Sequence, residues 1–588
     1  MVEICRVTAT FLKRFSSSSL WFIAATLVAL TAFFWLYLVH LFIVKDVNPE
    51  AMDIPLTVAY LELARDQGIP LDTYFQDNTL WGNLKQQNPK GAYTDYSGRF
   101  QFEFFALQAP LLSILYLPFI KLLGVSSKTV AIYSTFFSVT ALITSIILAW
   151  KAFGQWCALL SLFLMLSSLS WLIHTKIGYA AWMPSVTLIN ILALCLYSYM
   201  QNGRREILIV TGCLLGLMYL AGWIIIIFGI LLVGLVLLLK NLQRILHLLL
   251  DLEVIALSFL GTVVVFTLGY AFYYHCNVWD IHSAILDAMF GRFSQGEPGL
   301  LQLSLGQKIG YAFKCMCLDS RTLDPHADKF LEGRPAIPYL FTLCFLIGLF
   351  YAIKNRSPAD KLLLLWVLSI FGFIGSAFIF SHRYALLAMP AMGILAAQGV
   401  IAFGNNLARW NKKLIPAYYL LVGFGILFAL QSTHYDYYVT YTLHKEPNLE
   451  SDNKRGHAEI ATWLKKTCSP HHTLVVLGDP TMFSHTAFLF NTFGYDYRFV
   501  YWMNYFGSQS TSQQITAWEK KIFKQYPKIV YLFSNQFLGD PTTNTVINDW
   551  RPFAIAHPGI KPHLTYSYSD RPPSIFVYEI VTQPSHRK

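Results

Sequence analysis

After its first long apolar stretch the chain carries a run of carboxylates: Asp46, Glu50, Asp53, Asp72, Asp77 and Asp95 all fall between positions 45 and 103. Much later, His382, Arg383 and Tyr384 stand together at the start of another apolar run. A carboxylate can take the proton of an attacking hydroxyl, a contribution of about 10²–10⁴ in rate. A guanidinium grips a phosphate through a planar fork of N–H donors that an ammonium lacks. Set at the mouth of a membrane bundle, such groups suit an enzyme that handles a polar group carried on a lipid.

The elements that must position them are membrane helices. Of 588 residues, 55% are hydrophobic and only 13% charged, too few charges to cover a soluble protein of this size. The fold class expected is a polytopic α-helical membrane protein. A spanning helix needs roughly 20 mainly apolar residues. Candidates lie near 19–44, 104–124, 129–150, 156–173, 179–200, 207–221, 222–239, 254–274, 336–353, 362–380, 384–403 and 414–431. The apolar stretch 207–239 is too long for one crossing and has Gly222 at its middle, which predicts a tight hairpin. The first run exceeds the apolar core of a signal peptide and ends in no A-x-A site, so it reads as an anchor.

Charge bias decides how these helices are threaded. With 104–124 lying in the interface instead of spanning, Arg6, Lys13, Arg14, Lys151, Arg204, Arg205, Lys240, Arg244, Lys354, Arg356, Arg409, Lys412 and Lys413 all fall on the cytoplasmic side. That leaves about eleven spans plus interfacial juxtamembrane helices. It also explains the net charge of +11 as a topology signal, which removes nucleic acid as a partner.

In this reading 1–431 is a transmembrane domain with outward loops at 45–126 and 275–335, the second holding amphipathic stretches at 284–293 and 306–316. Residues 432–588 form a soluble extracytoplasmic α/β domain. Helices are expected at 456–467 and 513–526, and strands at 474–477, 529–533 and 575–580. No phosphate-loop pattern accompanies them, so a cap or acceptor-docking role fits the tail better than a nucleotide site.

The nine cysteines dictate no disulfide framework, and Cys315-x-Cys317 with His326 is a poor zinc pattern, so no metal ligands are assigned. The residues leave the need for a divalent cation open. The N-x-S/T sequon Asn355-Arg356-Ser357 falls on the cytoplasmic side in this topology; with no outward sequon, a bacterial inner membrane is favoured.

Three stretches resemble the GT-C glycosyltransferases, in particular the group holding dolichyl-phosphate-mannose protein mannosyltransferases and aminoarabinose lipid-A transferases. Asp53-Ile54-Pro55 followed by Tyr60-Leu61-Glu62-Leu63-Ala64-Arg65 is similar to that family's acidic residue and Tyr-x-Glu-x-Ala-Arg helix. The run Ala109-Pro110-Leu111-Leu112, ending at Leu123-Gly124, is similar to its Pro-Pro-Leu-Leu juxtamembrane helix. Arg383-Tyr384 through Met389-Pro390 is similar to a late Arg-Tyr-x5-Pro span. The family's acidic residue sits about one helical turn closer to the tyrosine than Asp53 does, and its Glu-Lys before the prolines reads Leu107-Gln108 here.

The resemblance implies a polyprenyl-phosphate sugar as donor, a lipid, glycan or protein acceptor, and inversion at the anomeric carbon. Asp53 is then the general base, with Asp46 the alternative, and Arg383, beside His382 and Tyr384, holds the phosphate; apart from the resemblance, Asp95 and Arg99 in their Tyr- and Gly-containing loop are candidates for substrate contact. Each has a plainer reading. Asp53 caps the helix starting at Ile54-Pro55, a role compatible with the base; Asp46 pairs with Lys45 at the interface, and Asp95 pairs with Arg99. Arg383 anchors in the headgroups. A lipid-glycan flippase or transporter is the competing function, but such proteins carry ionisable residues within their spans, and these spans are almost free of charge.

Overall fold

The computed structural model describes most of residues 107–294, 337–376, 386–437, 460–477, 498–501, 511–534, 551–566 and 575–581. Isolated positions elsewhere include Thr26, Leu30, Val58, Leu61, Glu62, Arg65, Phe313 and Cys317. Its first part is a helical bundle: α1 (Pro110–Leu123), α2 (Ser127–Phe153), α3 (Gln155–Leu166), α4 (Leu169–Ile177), α5 (Trp182–Asn202), α6 (Glu206–Ala221), α7 (Trp223–Asn241) and α8 (Ile245–Tyr274). Next in the chain come α9 (Val278–Ser294), α10 (Tyr339–Asn355), α11 (Pro358–Ser376), a 3-10 turn (Leu386–Ala388), α12 (Met389–Trp410) and α13 (Ile415–Tyr437).

Among the described residues, five helical stretches are long and apolar enough to cross a membrane: Ile132–Phe153, Trp182–Asn202, Ile245–Tyr274, Leu386–Trp410 and Lys412–Tyr435. Shorter apolar helices run between them. The stretch containing α12 is 83% buried, against 17% for those of α8 and α13, so α12 is the axis of the bundle and the other two face outward.

Close approach holds that axis. A Cβ on Gly348 of α10 would stand 1.8 Å from the Leu395 carbonyl oxygen of α12, and one on Gly399 would stand 2.4 Å from the Gly348 nitrogen. Helices in hydrocarbon gain their contact energy from packing, so only glycine lets these two backbones meet. On the far side, Asn190 of α5 donates to the Ala141 carbonyl and Ser145 Oγ of α2, both at 2.8 Å. Ser138 and Thr175 bond at 2.8 Å between α2 and α4.

The expected hairpin is present: α6 and α7 are separated by Gly222 alone, at φ +135. The helix beginning at Pro110 ends at Gly124 (φ +72). The expected span 156–173 is different. It breaks between α3 and α4 at Ser167–Ser168, where Ser167 Oγ turns back to the Leu164 carbonyl and Thr433 of α13 donates to the Ser167 carbonyl at 2.8 Å. Serine hydroxyls competing for backbone carbonyls loosen a helix, and a neighbouring hydroxyl then satisfies the freed oxygen.

The later residues contain a five-stranded sheet of β1 (Thr473–Leu477), β2 (Arg498–Tyr501), β3 (Lys528–Ser534), β4 (Leu564–Tyr566) and β5 (Ile575–Val581), with α14 (Ser512–Ile522) and α15 (Arg551–Ala556). Strand order is β2-β1-β3-β5-β4; β1 runs parallel to β2 and β3, and β5 antiparallel to β3 and β4. Leu474, Val476, Ile529, Tyr531 and Phe533 pack with Ile515 and Phe553 on one face. Val475, Val530, Leu532 and Val577 belong to a separate buried cluster that includes Ile460 and Leu464. Burial of both faces explains why β1 and β3 read as continuous apolar runs. A capping box starts α14: Gln514 N–H donates to Thr511 Oγ1 and Thr511 N–H donates to Gln514 Oε1.

Candidate functional site

Glu62 and Arg65 lie three residues apart on one helical face, and Arg65 Nη1 reaches Glu62 Oε2 at 3.0 Å. Val58 and Leu61 beside them are fully buried, which holds that face against the bundle. Lys121, in the last turn of α1, places its ammonium 3.4 Å from the same carboxylate oxygen and 3.3 Å from the Tyr273 hydroxyl. At the end of α8, Tyr274 donates to Glu62 Oε1 at 3.1 Å and Tyr273 to Oε2 at 3.4 Å. Arg65 also lies over the Tyr273 ring, 4.6 Å from its centre.

One carboxylate thus joins three segments distant in the chain, and two cations share it. The aromatic wall continues beside it. Tyr116 of α1 stacks on Tyr133 of α2 with centroids 3.9 Å apart, both fully buried, and neither hydroxyl has a partner among the described residues. On α9, half-buried His282 sets Nδ1 3.1 Å from the Tyr219 hydroxyl of α6; burial lowers its pKa, so the ring is neutral at pH 7.

The opposite ends of the helices carry the basic connections. There Asp251 of α8, 3% exposed at its side chain, accepts from Arg205 Nε at 3.1 Å, from Asn241 Nδ2 at 3.0 Å and from the Tyr199 hydroxyl. Lys240 lies over the Tyr199 ring at 3.9 Å. These contacts staple α5, α6, α7 and α8 at that end.

The later sheet has polar groups of its own. Buried Glu519 accepts from the Tyr531 hydroxyl and lies 2.9 Å from His557 Nε2. Burial, then the charge of Glu519, pushes the Tyr531 phenol well above its ordinary value. Burial pulls the Lys528 ammonium down, but Glu579 at 2.7 Å and Cys468 together outweigh it and the net shift is upward. Among the described residues no cluster of histidine, cysteine or carboxylates could hold a metal ion.

Asp46, Asp53, Asp95, Arg99, His382, Arg383 and Tyr384 all lie outside the described residues. Just beyond Arg383 and Tyr384 in the chain, Leu386, Leu387 and Ala388 are fully buried in the 3-10 turn, and Trp366 Nε1 donates to the Leu387 carbonyl at 3.0 Å. Met389 and Pro390 then open α12, with proline in the first turn where its missing N–H costs nothing. The sequence pattern did not single out Lys121, Tyr273 or Tyr274. A lysine inside an otherwise apolar helix was the available signal for the first; the tyrosines are masked because aromatic residues are common near the ends of membrane helices.

Comparison with known proteins gives the fold. No protein-family model matches the sequence, and no curated protein matches it. Among solved structures, the chain is similar to ArnT from Cupriavidus metallidurans bound to undecaprenyl phosphate, with a TM-score of 0.56 at 15% identity over 96% of this chain and 98% of that one. ArnT in the apo state matches over the same shares at 15% identity, with a TM-score of 0.52. At this identity the likeness is one of fold: the chain shares the fold of ArnT along nearly its whole length.

Proposed function

We propose that this chain is an integral-membrane glycosyltransferase that moves a sugar from a polyprenyl-phosphate donor to an extracytoplasmic acceptor with inversion. The observation that carries the reading is the fold shared along nearly the whole chain with ArnT, a protein solved with undecaprenyl phosphate. The polar cluster around Glu62, at the end of the bundle away from the basic connections, agrees with it. In this topology about eleven helices span, the 432–588 region is an extracytoplasmic α/β domain, and the membrane is a bacterial inner one.

In the reaction an acceptor hydroxyl attacks the anomeric carbon as the carbon–oxygen bond to the carrier phosphate breaks. The hydroxyl proton passes to Asp53, with Asp46 the alternative base, and the carrier departs as its phosphate. Arg383, with His382 and Tyr384, meets the charge growing on the leaving phosphate, where fixed donors are worth most. Asp95 and Arg99 contact substrate. The acceptor is a lipid, glycan or protein.

The test is transfer of label from a polyprenyl-phosphate sugar in proteoliposomes. Asp53→Asn, inserted normally, is expected to lose about 10²–10⁴ in turnover; full turnover in that variant removes Asp53 from the mechanism. Movement of labelled lipid across the bilayer by the wild-type protein, with no new glycosidic bond, would establish a flippase instead.

A further inference from the structure

Glu62 is shared unequally. Arg65 approaches its Oε2 to 3.0 Å and Tyr274 its Oε1 to 3.1 Å, whereas Lys121 stands at 3.4 Å. Charge-assisted N–H···O⁻ bonds are commonly about 2.7–2.9 Å, so Lys121 is the more loosely held of the two cations, and the Tyr273 hydroxyl, also at 3.4 Å, is held no better. The Lys121 contact to Tyr273 is also long, at 3.3 Å. An ammonium has three donors, and Lys121 is 53% exposed against 14% for Glu62. Arg65 already answers the charge of Glu62, so releasing Lys121 leaves no bare carboxylate behind.

The surroundings of Lys121 are those of a lipid headgroup. Leu122, its neighbour on α1, is 82% exposed, and Phe272, beside Tyr273 on α8, is 84% exposed. A cation rimmed by exposed apolar side chains at the end of an interfacial helix matches an amphiphile with one anionic head and a hydrocarbon tail. A free anion has no use for the apolar rim, and a neutral lipid has none for the cation.

We propose that Lys121 binds the phosphate of the polyprenyl carrier: its ammonium leaves Glu62 for a phosphate oxygen, the Tyr273 hydroxyl donates to the same group, and the isoprenoid chain lies along Leu122 and Phe272. The inference rests on the donor assigned under the proposed function and adds the residues that receive it. Glu62 is a positioning residue in this scheme, holding Arg65 and Tyr274 while Lys121 exchanges.

The experiment measures dissociation constants of polyprenyl phosphate, of the corresponding polyprenol and of phosphatidylglycerol for the full chain in nanodiscs, comparing wild type, Lys121→Met and Lys121→Arg. Loss of one hydrogen bond to a charged group predicts that Lys121→Met weakens polyprenyl phosphate binding roughly 10- to 100-fold. Polyprenol binding is expected to stay unchanged, and Lys121→Arg to stay within about threefold of wild type because the charge is kept. An unchanged constant in Lys121→Met, or an equal loss for phosphatidylglycerol, overturns the assignment and makes Lys121 a general headgroup anchor. A wild-type chain that binds no polyprenyl phosphate overturns the donor reading itself.

Discussion

Two carboxylates, one at each end of the bundle, are dressed with the same residue types and differ in what is left over. Asp251 is buried and saturated by Arg205, Asn241 and Tyr199 from three other helices. Glu62 has two cations and two tyrosines, but one cation is half exposed and loosely held. A buried carboxylate with a donor on each oxygen is a staple, because removing it leaves buried donors without an acceptor and removing its donors leaves a buried charge uncompensated. A carboxylate that holds a spare cation at the surface can release it at little cost. The first arrangement fixes helices, and the second keeps a group ready for a ligand.

The comparison is broken most directly at the staple. Asp251→Ala leaves the buried Tyr199 hydroxyl and Asn241 amide without their acceptor, while half-exposed Arg205 turns to water; a cost of about 1–3 kcal/mol for each buried group is expected, read as a lowered denaturation midpoint, while the folded fraction binds carrier as before. A normal midpoint, or a selective loss of carrier affinity, would erase the distinction between the two ends.

Next in size is Trp366→Phe, which leaves the buried Leu387 carbonyl without its donor. A loss of about 1–3 kcal/mol is expected. Because the turn at Leu386–Ala388 lies two residues beyond Tyr384, the Michaelis constant for donor should rise along with the fall in midpoint.

Glu62→Gln sharpens the contrast. The amide still accepts from Tyr274 but no longer attracts Arg65 and Lys121, so stability should fall by only about 1 kcal/mol, with carrier affinity equal to or above wild type. A loss as large as that of Asp251→Ala would make Glu62 a second staple.

The smallest effect concerns His282. Its folded pKa lies below the ordinary value, so between the two pKa values the unfolded chain binds more protons, and stability rises with pH across that window. Stability should therefore decline as pH falls below about 6.5. His282→Gln should flatten that part of the melting profile; an unaltered slope would show that His282 contributes nothing to it.

Much of the architecture could be read from the chain in one dimension. Gly222 announced the hairpin, Pro110 and Gly124 bracketed α1, and the apolar runs 474–477 and 529–533 marked the two central strands. Each is a local signal, set by backbone freedom or by continuous hydrophobicity. The short edge strands Arg498–Tyr501 and Leu564–Tyr566 escaped because three or four residues carry too little periodicity to stand out. The break at Ser167–Ser168 escaped because two serines in an apolar run are a weak local signal, and the hydroxyl that satisfies the freed carbonyl comes from α13, 266 positions away.

Membrane class, the pattern of apolar runs and the placement of basic loops belong to the amino-acid order itself, since hydrocarbon compatibility and loop charge are additive along the chain. Which charges meet does not. Glu62, Lys121 and Tyr274 are joined only because the ends of α1 and α8 meet beside Glu62, and Gly348 matters only because Leu395 crosses it. Those encounters depend on helix crossings, which are properties of packing in three dimensions, and they separate the cation locked on Asp251 from the one loosely held on Glu62.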